Sequence, residues 1–266
     1  MQIVRGDIRD PFQIRHAIIG GKIDRVYHLA ALISVPYSFC APSQFIETNV
    51  LGTLNVAMAC IECDAEMVHT SSSEVYGNSP VPQGLDTKLD PRSPYAASKV
   101  GADALIKSLI LSKGLKAGVL RPFNTFGPGQ SARAVITRII TQLVEGNMVQ
   151  LGNIYTERDF TYVSDTVSAF TMVPCDGNIY VCGTGKSHSI AWVAGKIATF
   201  MRKTDYTISM CEETYRSVNT EVMHLMSDAI SMNRLGWHPK VPFEVGLDKT
   251  IMWVLDNYNT LSEYVE

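Results

Sequence analysis

Thr70-Ser71-Ser72-Ser73-Glu74-Val75-Tyr76-Gly77, followed by Tyr95-Ala96-Ala97-Ser98-Lys99, decides how this chain is read. The apolar run Glu66-Met67-Val68-His69-Thr70 has strand length and ends in three hydroxyls and a carboxylate. Ser93-Pro94 then opens a helix, because serine is a good N-cap and proline suits the first helical position. On that helix Tyr95 and Lys99 stand at i and i+4, so both side chains project from one face. A phenol titrates near pH ~10 and is a poor base at neutrality. A lysine ammonium one turn away favours the phenolate, so the spacing predicts a lowered pKa for Tyr95. A serine hydroxyl at the strand end can hold the phenol oxygen toward a substrate. Such a group takes a proton from an alcohol or sugar hydroxyl as hydride leaves the carbon.

Working outward, strands and helices alternate. Gln2-Ile3-Val4 reads as a short strand, and Asp10-Pro11 starts a helix that stops at Gly20-Gly21. Arg25 to Leu29 is a second strand, ending in Ala30-Ala31. A helix follows from about Ser43 to Cys63, with Phe45, Ile46, Val50, Leu54 and Met58 near helical spacing. The Tyr95 helix stops at Lys113-Gly114, and Ala117 to Arg121 is a strand. This alternation predicts an α/β fold, a doubly wound parallel sheet covered on both faces. Ligands in such folds sit beyond the carboxyl ends of the strands, where every motif named here falls.

After Pro128 the pattern changes. An amphipathic helix carries Val135, Ile139 and Leu143 and closes at Gly146, and Val149 to Gly152 is a short strand. Arg158 to Val163 is a strand, with Ser164 or Asp165 expected to cap the next helix. Asn178 to Gly183 is another strand, Ile190 to Met201 a helix with Trp192 inward, and Phe243 to Asn257 the final helix. The expected division is 1-127 plus about 158-185 for the larger Rossmann-like unit, and about 128-157 plus 186-266 for a smaller α/β lobe.

Composition narrows the class. The chain has 266 residues, 46% hydrophobic and 18% charged, which suits an ordinary globular protein of one large or two small domains. A net charge of −3 gives no basic field for nucleic acid or an anionic membrane. No apolar run approaches the ~20 residues of a membrane span, and Met-Gln-Ile-Val-Arg-Gly-Asp is no signal peptide. Six scattered cysteines suit a reducing cytoplasm. Cys60-Ile-Glu-Cys63 has CxxC spacing but no second pair to complete four ligands, so no metal is expected.

Ser72, Tyr95 and Lys99 resemble the Ser/Thr-Tyr-Lys triad of extended short-chain dehydrogenase/reductases. TSSSEVYG, SPYAASKVGAD and RPFNTFGPGQSARAVI together resemble the nucleotide-sugar 4,6-dehydratases, nearest to the legionaminic-acid type. A lone YxxxK is weak, but with the Glu-Val-Tyr-Gly box before it and Arg-Pro-Phe-Asn after it the signal is strong. The resemblance runs from about Gly6 to the C-terminus. It implies an NAD-dependent lyase acting on a UDP- or GDP-linked hexose or N-acetylhexosamine, and a homodimer formed through the helices near Asn49 and Tyr95. The family's fold begins with a Gly-rich GxxGxxG turn and a second-strand residue that grips the adenosine ribose. Neither is in this sequence, which is therefore expected to be a piece of a longer protein.

The resemblance also implies roles. Asp7 and Ile8 match the pair that contacts adenine. Leu29, Ala30 and Ala31 lie where the dinucleotide approaches, and Asn49 matches a helix asparagine that helps seat the lysine. Ser73 and Glu74 match the pair that works at carbons 5 and 6 of the sugar, Glu74 as the base and Ser73 where an aspartate is usual. Asn124, Arg158 and Arg216 match residues that bind the diphosphate sugar; guanidinium forks suit bidentate phosphate contacts. Ser-Glu also occurs in UDP-glucuronate decarboxylases, which stay open as an alternative. A 4-epimerase is the less favoured one, since it needs no Glu74. A non-catalytic binding or scaffold protein is the alternative of another class.

Overall fold

The computed structural model describes residues 2–211 and 219–262. The first elements are α1 (Pro11–Arg15), which runs on through a wider helical turn at His16–Gly20, and β1 (Arg25–His28). Next come α2 (Val35–Cys40), α3 (Pro42–Phe45), a π-helical turn at Ile46–Leu51, α4 (Gly52–Cys63) and β2 (Glu66–Thr70). A 3-10 turn at Ser73–Tyr76 leads to α5 (Pro94–Lys113), β3 (Ala117–Pro122), β4 (Asn124–Phe126), α6 (Val135–Glu145), β5 (Met148–Leu151) and β6 (Glu157–Tyr162). Then follow α7 (Val163–Met172), β7 (Ile179–Cys182), β8 (Ser187–Ser189), α8 (Ile190–Phe200) and β9 (Thr207–Met210). The chain ends in β10 (His224–Leu225), α9 (Ile230–Arg234), α10 (Phe243–Asp256) and α11 (Tyr258–Ser262).

The main sheet is parallel, in the order β1-β2-β3-β7. Side chains alternate across a strand, and here the alternation separates two cores. Met67, Ala117 and Val119 face α1, α4 and α5, where Val56, Ala57, Cys60, Ile106 and Leu109 are buried. Val68, Leu120, Tyr180 and Cys182 face the other way, onto Ala169 and Phe170 of α7 and onto Met232 and Trp237. Gln2–Val4, expected as a strand, is not one: it pairs with no strand among the described residues, and Ile3 is 78% exposed. β1 is consequently an edge among the described strands.

A second sheet centres on β6, parallel to β4 and β10 and antiparallel to β8. Its core gathers Phe126, Phe160 and Tyr162 with Ile136, Ile139, Ile140 and Leu143 of α6, Ile197 of α8 and Leu247 and Ile251 of α10. Trp192, expected inward, is only half-buried and stacks on His188 with ring centroids 4.0 Å apart. The cap expected from Ser164 or Asp165 is a further correction. The N-cap of α7 is Tyr162, and the Asp165 carboxylate instead accepts the amides of Lys240 and Val241 at 3.0 and 2.9 Å. Met232 and Trp237, placed by the sequence in the smaller lobe, pack on the main sheet because their apolar faces complete its exposed side. Trp237 also donates its indole N–H to Asp165 O and Ser168 Oγ at 3.1 and 2.9 Å. Trp237→Ala is expected to cost about 3–5 kcal/mol, read as a lower urea midpoint.

Candidate active site

Three strand ends and one helix start assemble the site. β2 ends at Thr70, and the chain turns at Ser72, whose Oγ accepts the Glu74 amide at 3.2 Å. That bond starts the 3-10 turn and places Ser73 and Glu74 beside the strand end, Ser73 buried and Glu74 half-buried. Ser93 Oγ accepts the Ala96 amide at 3.1 Å, Pro94 occupies the first turn, and Gly114 closes α5 at φ +69°. These local signals set the phase of the helix and turn both Tyr95 and Lys99 inward, 8% and 4% exposed.

The Ser72 hydroxyl hydrogen-bonds the Tyr95 phenol and favours its ionised form. Burial outweighs that bond, and the Glu74 and Asp103 carboxylates add to it, so the phenol is pushed up to about 12. The lowering expected from Lys99 does not emerge in this environment. Lys99 is itself pushed down to about 8 by burial, opposed by Asp103, and its Nζ donates to Thr70 O at 3.0 Å.

Around this centre the expected residues divide. Leu29 and Ala30 are exposed at the carboxyl end of β1, Leu29 by 59%, and Ala31 is half-buried. Asn124 opens β4, and its buried Oδ1 has no hydrogen-bond partner. Arg158 is buried in β6, with Nη1 donating to Glu157 O at 2.9 Å. The Asn49 amide accepts Leu32 N at 2.8 Å and donates to Leu32 O and Ser98 Oγ at 2.9 Å each, so its bonds go to the residue before the lysine. It seats the neighbouring serine and ties the loop after β1 to α5. The Asp7 carboxylate is gripped by Arg9, with Nη2 at 2.6 Å, and held down at about 2. Ile8 packs over Gly52, where a Cβ would lie 2.6 Å from its Cδ1. Arg216 lies outside the described residues.

Three polar groups near the site were not singled out from sequence. Asp103 and Arg121 form a buried pair at 2.9 Å, and Ser71 Oγ donates to the same carboxylate at 2.8 Å. Asp159 accepts from Thr184 N and Oγ1, Gly185 N, and Ser227 N and Oγ, which fixes the loop after β7 beside Arg158. A signal for Asp103 was present: it stands at i+4 from Lys99 and i+8 from Tyr95, on the same helix face.

Two imidazoles lie beneath the site. His28 Nε2 is 2.9 Å from Thr53 Oγ1, and His69 is fully buried. Burial pushes His28 down to about 3 and lowers His69, despite the Asp103 carboxylate beside His69. In the unfolded chain imidazoles protonate near ~6.5, so below that pH the unfolded state binds more protons. Stability is therefore full above about pH 6.5 and is lost as pH falls toward 3. His28 alone is expected to cost about 2 kcal/mol at pH 5. A His28→Gln chain whose urea midpoint drops between pH 7 and 5 as much as wild type would contradict this.

Residues 1–250 match the GDP-mannose 4,6 dehydratase family. The chain belongs to that family. A human relative, dTDP-D-glucose 4,6-dehydratase, is 31% identical over 272 residues, covering 97% of this chain and 76% of its own. The fold agrees with that of DesIV, a dTDP-glucose 4,6-dehydratase from Streptomyces venezuelae solved with NAD: TM-score 0.85, 27% identity, 98% of this chain and 81% of that one. The UDP-glucose 4-epimerase of Thermus thermophilus, in complex with NAD, is similar at a TM-score of 0.85 and 27% identity, over 94% of this chain and 83% of that one. Dehydratases and epimerases thus share this scaffold, and the groups around the phenol must distinguish them. Among the described residues no helix is long and apolar enough to cross a membrane.

Proposed function

We propose that the protein is an NAD-dependent nucleotide-sugar 4,6-dehydratase acting on a nucleoside-diphosphate hexose. The observation that carries this reading is Glu74. It is half-buried on the turn whose Ser72 cap also bonds Tyr95, and its charge acts on the phenol. An epimerase has no use for a carboxylate there. The residues fit NAD: β1 ends in an exposed Leu29-Ala30 segment, Tyr95 and Lys99 are both buried one turn apart on α5, and the Asn124 Oδ1 is buried and unpartnered. Leu29, Ala30, Ala31, Tyr95 and Lys99 would hold the cofactor, with Asp7 and Ile8 at its adenine end. Arg158 and Asn124 would hold the diphosphate sugar, with Arg216. NAD, when bound, accepts the hydride from carbon 4 and returns it to carbon 6.

Tyr95 takes the proton of the carbon 4 hydroxyl, with Ser72 holding the phenol oxygen and Lys99 supplying a positive charge against the phenolate. The resulting ketone acidifies the proton on carbon 5. Glu74 removes that proton and passes it to the carbon 6 hydroxyl, which leaves as water with Ser73 orienting the departing oxygen. Carbon 5 takes a proton from solvent when hydride is returned to carbon 6, and Tyr95 gives its proton to solvent. The sum is loss of one water and a 4-keto-6-deoxy sugar nucleotide. Because Lys99 loses its charge as pH rises through about 8, the rate is expected to fall above that pH. The test is incubation of full-length protein with dTDP-, UDP- and GDP-hexoses. A 4-keto-6-deoxy product supports the reading. Carbon dioxide from a glucuronate substrate selects the decarboxylase, and recovery of the 4-epimer selects the epimerase.

A further inference from the structure

We infer that Asp103 is a positioning residue: its buried carboxylate, one helical turn from Lys99, ties the Ser71-Ser72 strand end and Arg121 to the Tyr95 helix and sets the balance of charge beside Lys99. This rests on the dehydratase reading, because it assigns Lys99 and Ser72 their work on the phenol.

The geometry is specific. Asp103 is 6% exposed and lies on α5 one turn beyond Lys99. Its Oδ2 accepts three hydrogen bonds, from Ser71 Oγ at 2.8 Å and from Arg121 Nε and Nη2 at 3.1 and 2.9 Å. One oxygen thus joins α5, the end of β2 and β3. Ser71 directly precedes Ser72, so the bond that fixes it also fixes the hydroxyl bonded to Tyr95. The other oxygen, Oδ1, is buried without a hydrogen-bond partner, 3.5 Å from His69 Nε2.

Charge completes the argument. Lys99 comes from α5, Arg121 from β3, His69 from β2 and His28 from β1, while Glu74 and Tyr76 come from the turn after β2. The two imidazoles are held neutral by burial. That leaves two buried cations, Arg121, to which Asp103 is bonded, and Lys99, one helical turn away. Desolvation drives an ammonium toward its neutral form, and Asp103 is the charge that opposes this at Lys99. A neutral Lys99 could no longer favour the phenolate.

The test follows the Lys99 ε-amino group by 15N NMR against pH in the full-length holoenzyme, as wild type and as Asp103→Asn. The midpoint is expected to fall by about one pH unit. An unchanged midpoint overturns the inference. This readout needs no turnover, so failure of the dehydratase reading shows separately, as absence of 4-keto product from wild type. In parallel, the alkaline limb of kcat in Asp103→Asn is expected to shift to lower pH by the same amount, with KM for the sugar nucleotide unchanged. A uniform loss at every pH marks a merely structural carboxylate and overturns the inference. Asp103→Asn leaves Arg121 buried and unpaired, which can prevent folding. The double variant Asp103→Asn/Arg121→Gln removes both charges and is read by the same midpoint.

Discussion

Tyr95→Phe is expected to lower kcat on the nucleotide hexose by about 10²–10⁴-fold while leaving the chain folded. The ring packs against Val35 and Phe45, with the Phe45 and Tyr95 centroids 6.3 Å apart at 78°, and phenylalanine keeps those contacts. Only the hydroxyl is lost. Its partner Ser72 still accepts the Glu74 amide, but the Ser72 O–H loses the phenol oxygen it donated to, a cost of about 1–3 kcal/mol. The variant therefore separates chemistry from packing. The pH profile carries the sign. With the phenol pushed up to about 12, little phenolate exists at neutrality, and a rate that depends on it climbs with pH. The climb is expected to stop near pH 8, where Lys99 loses its charge. In Tyr95→Phe both features vanish. A variant that keeps near wild-type kcat and the same profile would remove Tyr95 from the mechanism. Thermal melts of the two chains check that packing survives.

What the sequence could reveal was set by how local each cause is. Helix α5 was legible from end to end, because Ser93, Pro94 and Gly114 act within a few residues of their own positions. Glu66–Thr70 was legible because it has a strand's length and its middle, Met67 to His69, is buried on both faces. Gln2–Val4 carries strand-like residues but pairs with no strand among the described residues, and pairing is not written in the segment itself. Asn49 looked out of place in a helix, and its reason lies seventeen residues back, at the Leu32 backbone. The site divides along the same line. Tyr95 and Lys99 were marked out by spacing and Glu74 by resemblance. The sign of the Tyr95 shift was not, because charge is visible in a sequence and desolvation is not. Asp103 was visible on the helix face, but its partner Arg121 arrives from another strand.

Glu74→Gln is expected to separate the two halves of the reaction. Glutamine has the same shape, and the backbone amide that anchors the turn on Ser72 is untouched, so the 3-10 turn stands. What disappears is the base for the carbon 5 proton. Formation of the 4-keto-6-deoxy product is expected to fall by about 10²–10⁴-fold. Oxidation at carbon 4 should continue, because the Glu74 charge raises the Tyr95 pKa and its removal eases that step. Bound NADH then accumulates in a single turnover, and the sugar keeps its carbon 6 hydroxyl. Exchange of the carbon 5 hydrogen with solvent deuterium should cease. The pattern is diagnostic, since a damaged site would lose oxidation and elimination together. A variant that oxidises carbon 4 and still exchanges carbon 5 at the wild-type rate would move the base elsewhere. With it would go the argument that the carboxylate on this serine-capped turn makes the scaffold a dehydratase.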